Sequence, residues 1–279
     1  MPAGIEVPKK KVSTTQGGPL RVVQITDMHL YADTRSCLLR INTQSTFEQV
    51  ISRLRARHWP ADLVLATGDL VHDGSEAGYR RLYRQLQALG VPAYCIPGNH
   101  DEGRALARFL NDGTVRTQPC AQHGDWNFVF VDSTVEGSDG GHVSDVALER
   151  LKACLGAHPR KPALVCLHHQ PVLVGSEWLD TMAVDNPQAF WRVVDAAPQV
   201  KGVIWGHVHQ DFQAKRGHKR LLASPSTCVQ FAPRSKEFAV DQLAPGYRWL
   251  ELHPDGRIEA GVERLPDFVG FADAAAGGY

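Results

Sequence analysis

The chain has 279 residues, 43% of them hydrophobic and 22% charged, the proportions of a globular protein able to bury one large core. Its 30 lysines and arginines balance 30 aspartates and glutamates, which disfavours nucleic acid as a partner, since phosphate backbones are held by a basic excess. No stretch approaches the ~18–20 apolar residues of a membrane span, the N-terminus lacks a signal-peptide core, and the six scattered cysteines include no C-x-x-C pair, so a cytoplasmic setting without membrane contact is expected.

Residues 1–18, with the basic run Lys9-Lys10-Lys11, and the Ala/Gly-rich 272–279 are predicted to be loosely held tails around a single domain at 19–271. Within it, short runs rich in valine, isoleucine and leucine predict strands at Leu20–Thr26, Asp62–Thr67, Pro92–Ile96, Asn127–Val131, Ala163–Leu167 and Gly202–Trp205. Their near-continuous apolarity marks strands covered on both faces. Amphipathic patterns predict helices between several of them. Thr46–Arg57 puts Phe47, Val50, Ile51 and Leu54 on one face, and Ser75–Leu89 does the same with Tyr79, Leu82, Tyr83 and Leu86. Val143–Leu155 and Pro187–Val194 are similar. This alternation defines an α/β fold class. Beyond Trp205, Lys219–Ala223, Cys228–Phe231 and Tyr247–Leu252 are expected to be antiparallel strands, with a turn at His253–Gly256 before Arg257–Val262. These strands extend the core and need no second domain.

Chemistry gathers where the predicted strands finish. Asp27-Met28-His29, Gly68-Asp69, Gly98-Asn99-His100-Asp101, His168-His169 and Gly206-His207-Val208-His209 each end or follow an apolar run, and ligands of open α/β sheets collect at the carboxyl ends of strands. The donors are oxygens and imidazoles with no thiolate, a set that suits two hard or borderline cations such as iron, manganese or zinc. In an extended backbone the pairs Asp27/His29 and His207/His209 would each point to one side. Gly68, Gly98 and Gly206 precede proposed ligands and allow sharp turns and close approach. A hydrolase that uses two metals on a phosphate ester follows.

In order and content these segments resemble the calcineurin-like metallophosphoesterases, whose pattern is D-x-H, G-D, G-N-H-[DE], H and G-H-x-H, over roughly residues 21–210. Later stretches, Gly175–Asp180, Ser226–Phe231, Leu243–Arg248 and Leu250–His253, are similar to the bacterial class III 3′,5′-cyclic AMP phosphodiesterases. The resemblance implies a four-layer αββα sandwich with a dinuclear metal site at the carboxyl ends of the strands. It also implies that Asp27, His29 and His209 hold one ion, that Asn99, His168 and His207 hold the other, and that Asp69 bridges them. The ions would be divalent or mixed-valence, iron or manganese first, with zinc or cobalt as alternatives. His169 is left to packing or to supporting a ligand from behind.

The implied reaction is hydrolysis of 3′,5′-cyclic AMP to 5′-AMP by in-line attack of a metal-bridging hydroxide. His29, Asp69, Asn99, His100 and His209 would meet the substrate. Asn99 would offset charge on the phosphoryl oxygens, and His100 would protonate the leaving oxygen. A glycerophosphodiester or a 2′,3′-cyclic nucleotide is the alternative substrate, because members of one fold differ in the pocket. Trp178 and Phe231 are candidates for the adenine wall. One position departs from the pattern: the phosphoprotein phosphatases read G-D-x-x-D-R-G, and their second aspartate orients the catalytic histidine. Here the stretch reads Gly68-Asp69-Leu70-Val71-His72-Asp73-Gly74. That disfavours phosphoprotein substrates, makes His72 a neutral loop residue, and leaves Asp73 or Asp101 to orient His100. The oligomeric state is left open.

Overall fold

Side-chain alternation along the strands builds the architecture. In the computed structural model, which describes residues 17–276, strand β1 (Leu20–Ile25) is followed by a short hairpin, β2 (Cys37–Leu38) and β3 (Ile41–Asn42), and by helix α1 (Thr43–Arg57). Then come β4 (Leu63–Thr67), α2 (Glu76–Gln87), β5 (Ala93–Ile96), α3 (Gly103–Phe109) and β6 (Val115–Arg116). The second half runs β7 (Cys120–His123), β8 (Trp126–Phe130), α4 (Asp145–Gly156), β9 (Ala163–Cys166), α5 (Glu177–Asp180), α6 (Pro187–Asp195) and β10 (Val200–Trp205). It closes with β11 (Gln213–Arg216), β12 (Lys219–Ala223), β13 (Gln230–Phe231), β14 (Val240–Asp241), β15 (Gly246–Leu252) and β16 (Ile258–Arg264).

Two six-stranded sheets form, ordered β16-β15-β1-β4-β5-β6 and β11-β12-β10-β9-β8-β7. In β4, Leu63 and Leu65 point into the layer between the sheets, where they meet Phe128, Leu164 and Ile204. Val64 and Ala66 point outward, to Phe47 and Leu54 of α1 and to Leu82 and Leu86 of α2. The other sheet repeats the device: Leu164 faces inward, while Ala163 and Val165 pack among Leu151 of α4 and Phe190 of α6. Both faces of each sheet are therefore covered, giving the αββα sandwich.

The helices start where local chemistry allows. Asn42, Ser75 and Ser144 cap α1, α2 and α4 by accepting from Ser45, Gly78 and Ala147 N–H groups, each such cap being worth ~1 kcal/mol. One expected direction is corrected. Lys219–Ala223 runs parallel to β10, with Val203 beside Leu221, and only β11 meets it antiparallel. The C-terminal boundary also moves outward. Ala272 is buried, and the Asp273 N–H donates to Leu39 O at 3.0 Å while its carboxylate pairs with Arg40. The expectation for residues 1–16 and 277–279 lies outside the described residues.

Within each sheet the central strands are parallel, β1-β4-β5-β6 in one and β8-β9-β10-β12 in the other. Their carboxyl ends therefore open on the same edge of the sandwich, and there the five segments meet.

Candidate metal centre

Asp27 and His29 follow β1, Asp69 follows β4, Asn99 and His100 follow β5, His168 follows β9, and His207 and His209 follow β10. The donors form one continuous chain of contacts. His209 Nε2 lies 3.3 Å from Asp27 Oδ1 and 3.3 Å from His29 Nε2. His168 Nε2 and His207 Nδ1 each lie 3.1 Å from Asn99 Oδ1. Asp69 Oδ2 sits between these halves, 3.7 Å from His29 Nε2 and 3.3 Å from His168 Nε2. The His100 main-chain N–H joins them by donating to Asp69 Oδ1 at 3.0 Å, so all eight sequence-predicted residues are brought together, and the six other than Asn99 and His100 are deeply buried.

The backbone that achieves this is not extended. Asp27, His29, Asp69, His207 and His209 all adopt left-handed φ values, between 46° and 64°, a conformation that costs a non-glycine residue roughly 1–2 kcal/mol. The paired side chains converge from left-handed residues, which corrects the expectation of an extended D-x-H and H-x-H. Hydrogen bonds between the loops hold the strain: Asp27 N–H to Gly68 O at 3.0 Å, His29 N–H to Asp69 O at 2.9 Å, and His207 N–H to Asp27 Oδ1 at 3.0 Å. Crowding explains the glycines. A Cβ on Gly98 would overlap both the carboxylate and the backbone nitrogen of Asp69, and one on Gly68, itself at φ 95°, would overlap the His168 ring. Gly98→Ala is expected to lower the melting temperature, at a cost of about 1–3 kcal/mol for overpacking, and to weaken metal binding in the same sample, as calorimetry and a metal titration would record.

The donor set fits cations. The His168 Nδ1–H donates to Thr67 O at 2.8 Å and the His209 Nδ1–H to Val229 O at 2.9 Å, so each turns Nε2, the nitrogen a neutral ring leaves without a proton, to the centre. Asp69 Oδ2 and His207 Nε2 are buried without a hydrogen-bond partner, and such atoms are costly unless something charged or polar meets them. Two buried carboxylates also draw positive charge inward. Burial works against an imidazolium at His168, yet Asp69 raises that ring to about 9. Burial holds His29 and His207 well below the usual histidine range. For Asp69, burial opposes the charge, but the His168 and His100 rings keep the carboxyl well below its ordinary value. Three donors already lie within reach of one another in the group Asp27/His29/His209, drawn from two loops, and in the group Asp27/Asp69/His168, drawn from three.

Sequence reasoning missed what braces the donors. Phe231 stacks face to face on His209, with centroids 4.2 Å apart and planes at 13°, and it is buried, so it supports a donor and does not form an open adenine wall. Trp178 packs edge-on against Phe231. Ser226 Oγ donates to Asp27 O at 2.7 Å. His169 Nδ1 bonds Ser133 Oγ at 2.9 Å, while its ring packs 4.7 Å from that of His207 and its donor atoms lie within reach of those of His168 and His207. Asp101 accepts from the N–H groups of Leu70, Val71 and Gly98 and from the Tyr79 hydroxyl, and Asp73 accepts from Ala32 and Ser75 N–H groups. Those contacts commit both carboxylates to shaping loops, and the ring stacked on His100 is that of His72. A groove of about 480 Å³ lined by Pro171, Trp191, Arg192 and Arg216 among others contains none of the eight residues.

Two layers of sheet between helices, with oxygen and imidazole donors converging at one edge, define a metal-dependent phosphoesterase. The chain belongs to the calcineurin-like phosphoesterase family, whose sequence pattern matches residues 20–211. Its relatives include the 3′,5′-cyclic adenosine monophosphate phosphodiesterase CpdA of Pseudomonas aeruginosa, 41% identical over 92% of this chain and 94% of the relative. A 3′,5′-cyclic-nucleotide phosphodiesterase of a Nostoc species is 40% identical over 89% and 93%. Among solved structures, a dimetal phosphatase from Danio rerio shares the fold with TM-score 0.60 at 16% identity, covering 89% of this chain and all of that one.

Proposed function

We propose that the protein hydrolyses 3′,5′-cyclic AMP to 5′-AMP. The observation that carries the reading is the Asp69 carboxylate, set between an Asp27/His29/His209 group and an Asn99/His168/His207 group. Identity of 40–41% over most of the chain to relatives named for 3′,5′-cyclic nucleotides, one of them for cyclic AMP, supports this substrate over a glycerophosphodiester or a 2′,3′-cyclic nucleotide.

The seven donors would hold two ions, iron or manganese first, which when bound supply Lewis acidity and a nucleophilic water at neutral pH. The chain's own residues do the rest. With its Oδ1 turned to His168 and His207, Asn99 keeps its Nδ2 amide to donate to a phosphoryl oxygen as charge builds there. His100 gives a ring proton to O3′ of the ribose as the bond from phosphorus to O3′ breaks and the bond to the water oxygen forms. His29, Asp69 and His209 complete the wall around the phosphate. The six free cysteines, four of them buried, suit a reducing cytoplasm, and no helix among the described residues is long and apolar enough to cross a membrane.

The test is turnover of cyclic AMP before and after chelation. Activity is expected to vanish with the metals and return on adding iron or manganese. Turnover of cyclic AMP is also expected to exceed that of glycerophosphodiesters and 2′,3′-cyclic AMP. Activity that survives complete metal removal would sink the reading, and a better alternative diester would replace the substrate.

A further inference from the structure

We propose that His72 is a positioning residue that sets two neighbours at once, accepting a hydrogen bond from His29 and backing the ring of His100. The inference rests on the proposed roles of those two histidines. His72 occupies the position where the phosphoprotein phosphatases carry an aspartate, and its ring is placed to take over that task by a different contact.

The geometry is specific. His72 Nδ1 lies 3.0 Å from His29 Nδ1, and one of the two nitrogens must donate. His29 turns its Nε2 to the centre, 3.3 Å from His209 Nε2 and 3.7 Å from Asp69 Oδ2. A bare Nε2 there places the His29 proton on Nδ1, so His72 Nδ1 accepts and His72 carries its own proton on Nε2. The same ring lies nearly parallel to His100, with centroids 4.4 Å apart and planes at 21°. Tyr31 packs beside it at 4.9 Å, and the His72 N–H is fixed to Leu30 O at 2.7 Å. His29 in turn meets His100 edge-on at 4.9 Å. The acceptor nitrogen thus fixes a donor's tautomer while the ring face fixes the angle of the proton-giving histidine.

Two substitutions separate these contacts. In His72→Asn, Oδ1 falls close to the place of Nδ1, so the acceptor stays and the ring is lost. In His72→Phe the ring stays and the acceptor is lost. Dissociation constants for manganese, measured on metal-free protein by chelator competition, and kcat on cyclic AMP at saturating manganese are expected to cross over. His72→Phe should lose the more affinity, about 10–100-fold. His72→Asn should lose the more kcat, about 10–100-fold, the scale of a misplaced catalytic group. His72→Tyr replaces the phenylalanine variant should the latter melt early. Parallel losses in both variants, or none in either, would overturn the inference while wild-type turnover left the function intact. A third ion per chain, lost in His72→Phe, would also overturn it, because His29, His72 and His100 would then be one set of ligands. Wild-type protein that binds no metal would instead remove the function on which the inference stands.

Discussion

Replacing Asp69 by asparagine is expected to lower kcat/KM on cyclic AMP by about a thousandfold or more. Lewis-acid stabilisation by paired ions is worth several kcal/mol, and each ~1.4 kcal/mol is tenfold in rate. Asparagine keeps the volume and the acceptor for the His100 N–H, which Asp69 Oδ1 now receives at 3.0 Å. It removes the charge at the point where the two donor groups adjoin. The loss should therefore appear as metal binding reduced from two ions to one or none, with the fold retained. Metal-free protein offers a second readout. Asp69 raises His168 from 6.5 to about 9 against the opposing effect of burial. A group whose pKa is raised on folding contributes stability that is whole below its unfolded value and fades as pH climbs through its folded one. Metal-free wild type should thus lose stability between about pH 6.5 and pH 9, and metal-free Asp69→Asn should show a flatter profile over the same range. Two tightly bound ions in Asp69→Asn would refute the bridging position.

Much of this centre could be read before any coordinates, because its parts are local in sequence. Apolar runs such as Leu63–Thr67 and Val200–Trp205 show where strands end, and the donors stand at those ends in recognisable short patterns. The remainder depends on contacts that leave no local mark. Thr67 and Val229 hold His168 and His209 through carbonyl oxygens, which every residue type possesses. The left-handed backbone at Asp27 and His207 is imposed by neighbouring loops, against the preference of those residues. Edge strand Gln213–Arg216 is largely exposed and polar, so no apolar period reveals it. Its hairpin with β12 also decides that β12 runs parallel to β10, a direction that hydrophobic pattern does not encode. Arg248 sits in a stretch that sequence reasoning matched only as motif, yet its guanidinium is buried against Ala223 O and Asp211. At His72 nothing local in the sequence marks the ring's stacking on His100 or its contact with His29.

Asn99→Ala and His100→Ala are expected to fail in different ways, although the residues are adjacent. Asn99 Oδ1 is shared at 3.1 Å between His168 Nε2 and His207 Nδ1, so alanine deletes an oxygen from the middle of a donor group. Affinity for the second ion should fall by at least about tenfold to a hundredfold, the loss reported generally for weaker perturbations around metal ligands, and activity should partly return at high manganese. His100 is tied to the centre differently: its main-chain N–H, which alanine retains, is what reaches Asp69. Removing the imidazole should leave two ions bound and lower kcat by about 10²–10⁴, the usual worth of a general acid. A substrate with a better leaving group than a ribose oxygen should narrow that deficit, because an anion that departs readily needs no proton. Bis-(p-nitrophenyl) phosphate supplies the comparison. If His100→Ala slowed it as severely as it slowed cyclic AMP, the imidazole would be acting on the attacking side or on the metals, and the leaving-group role would be lost.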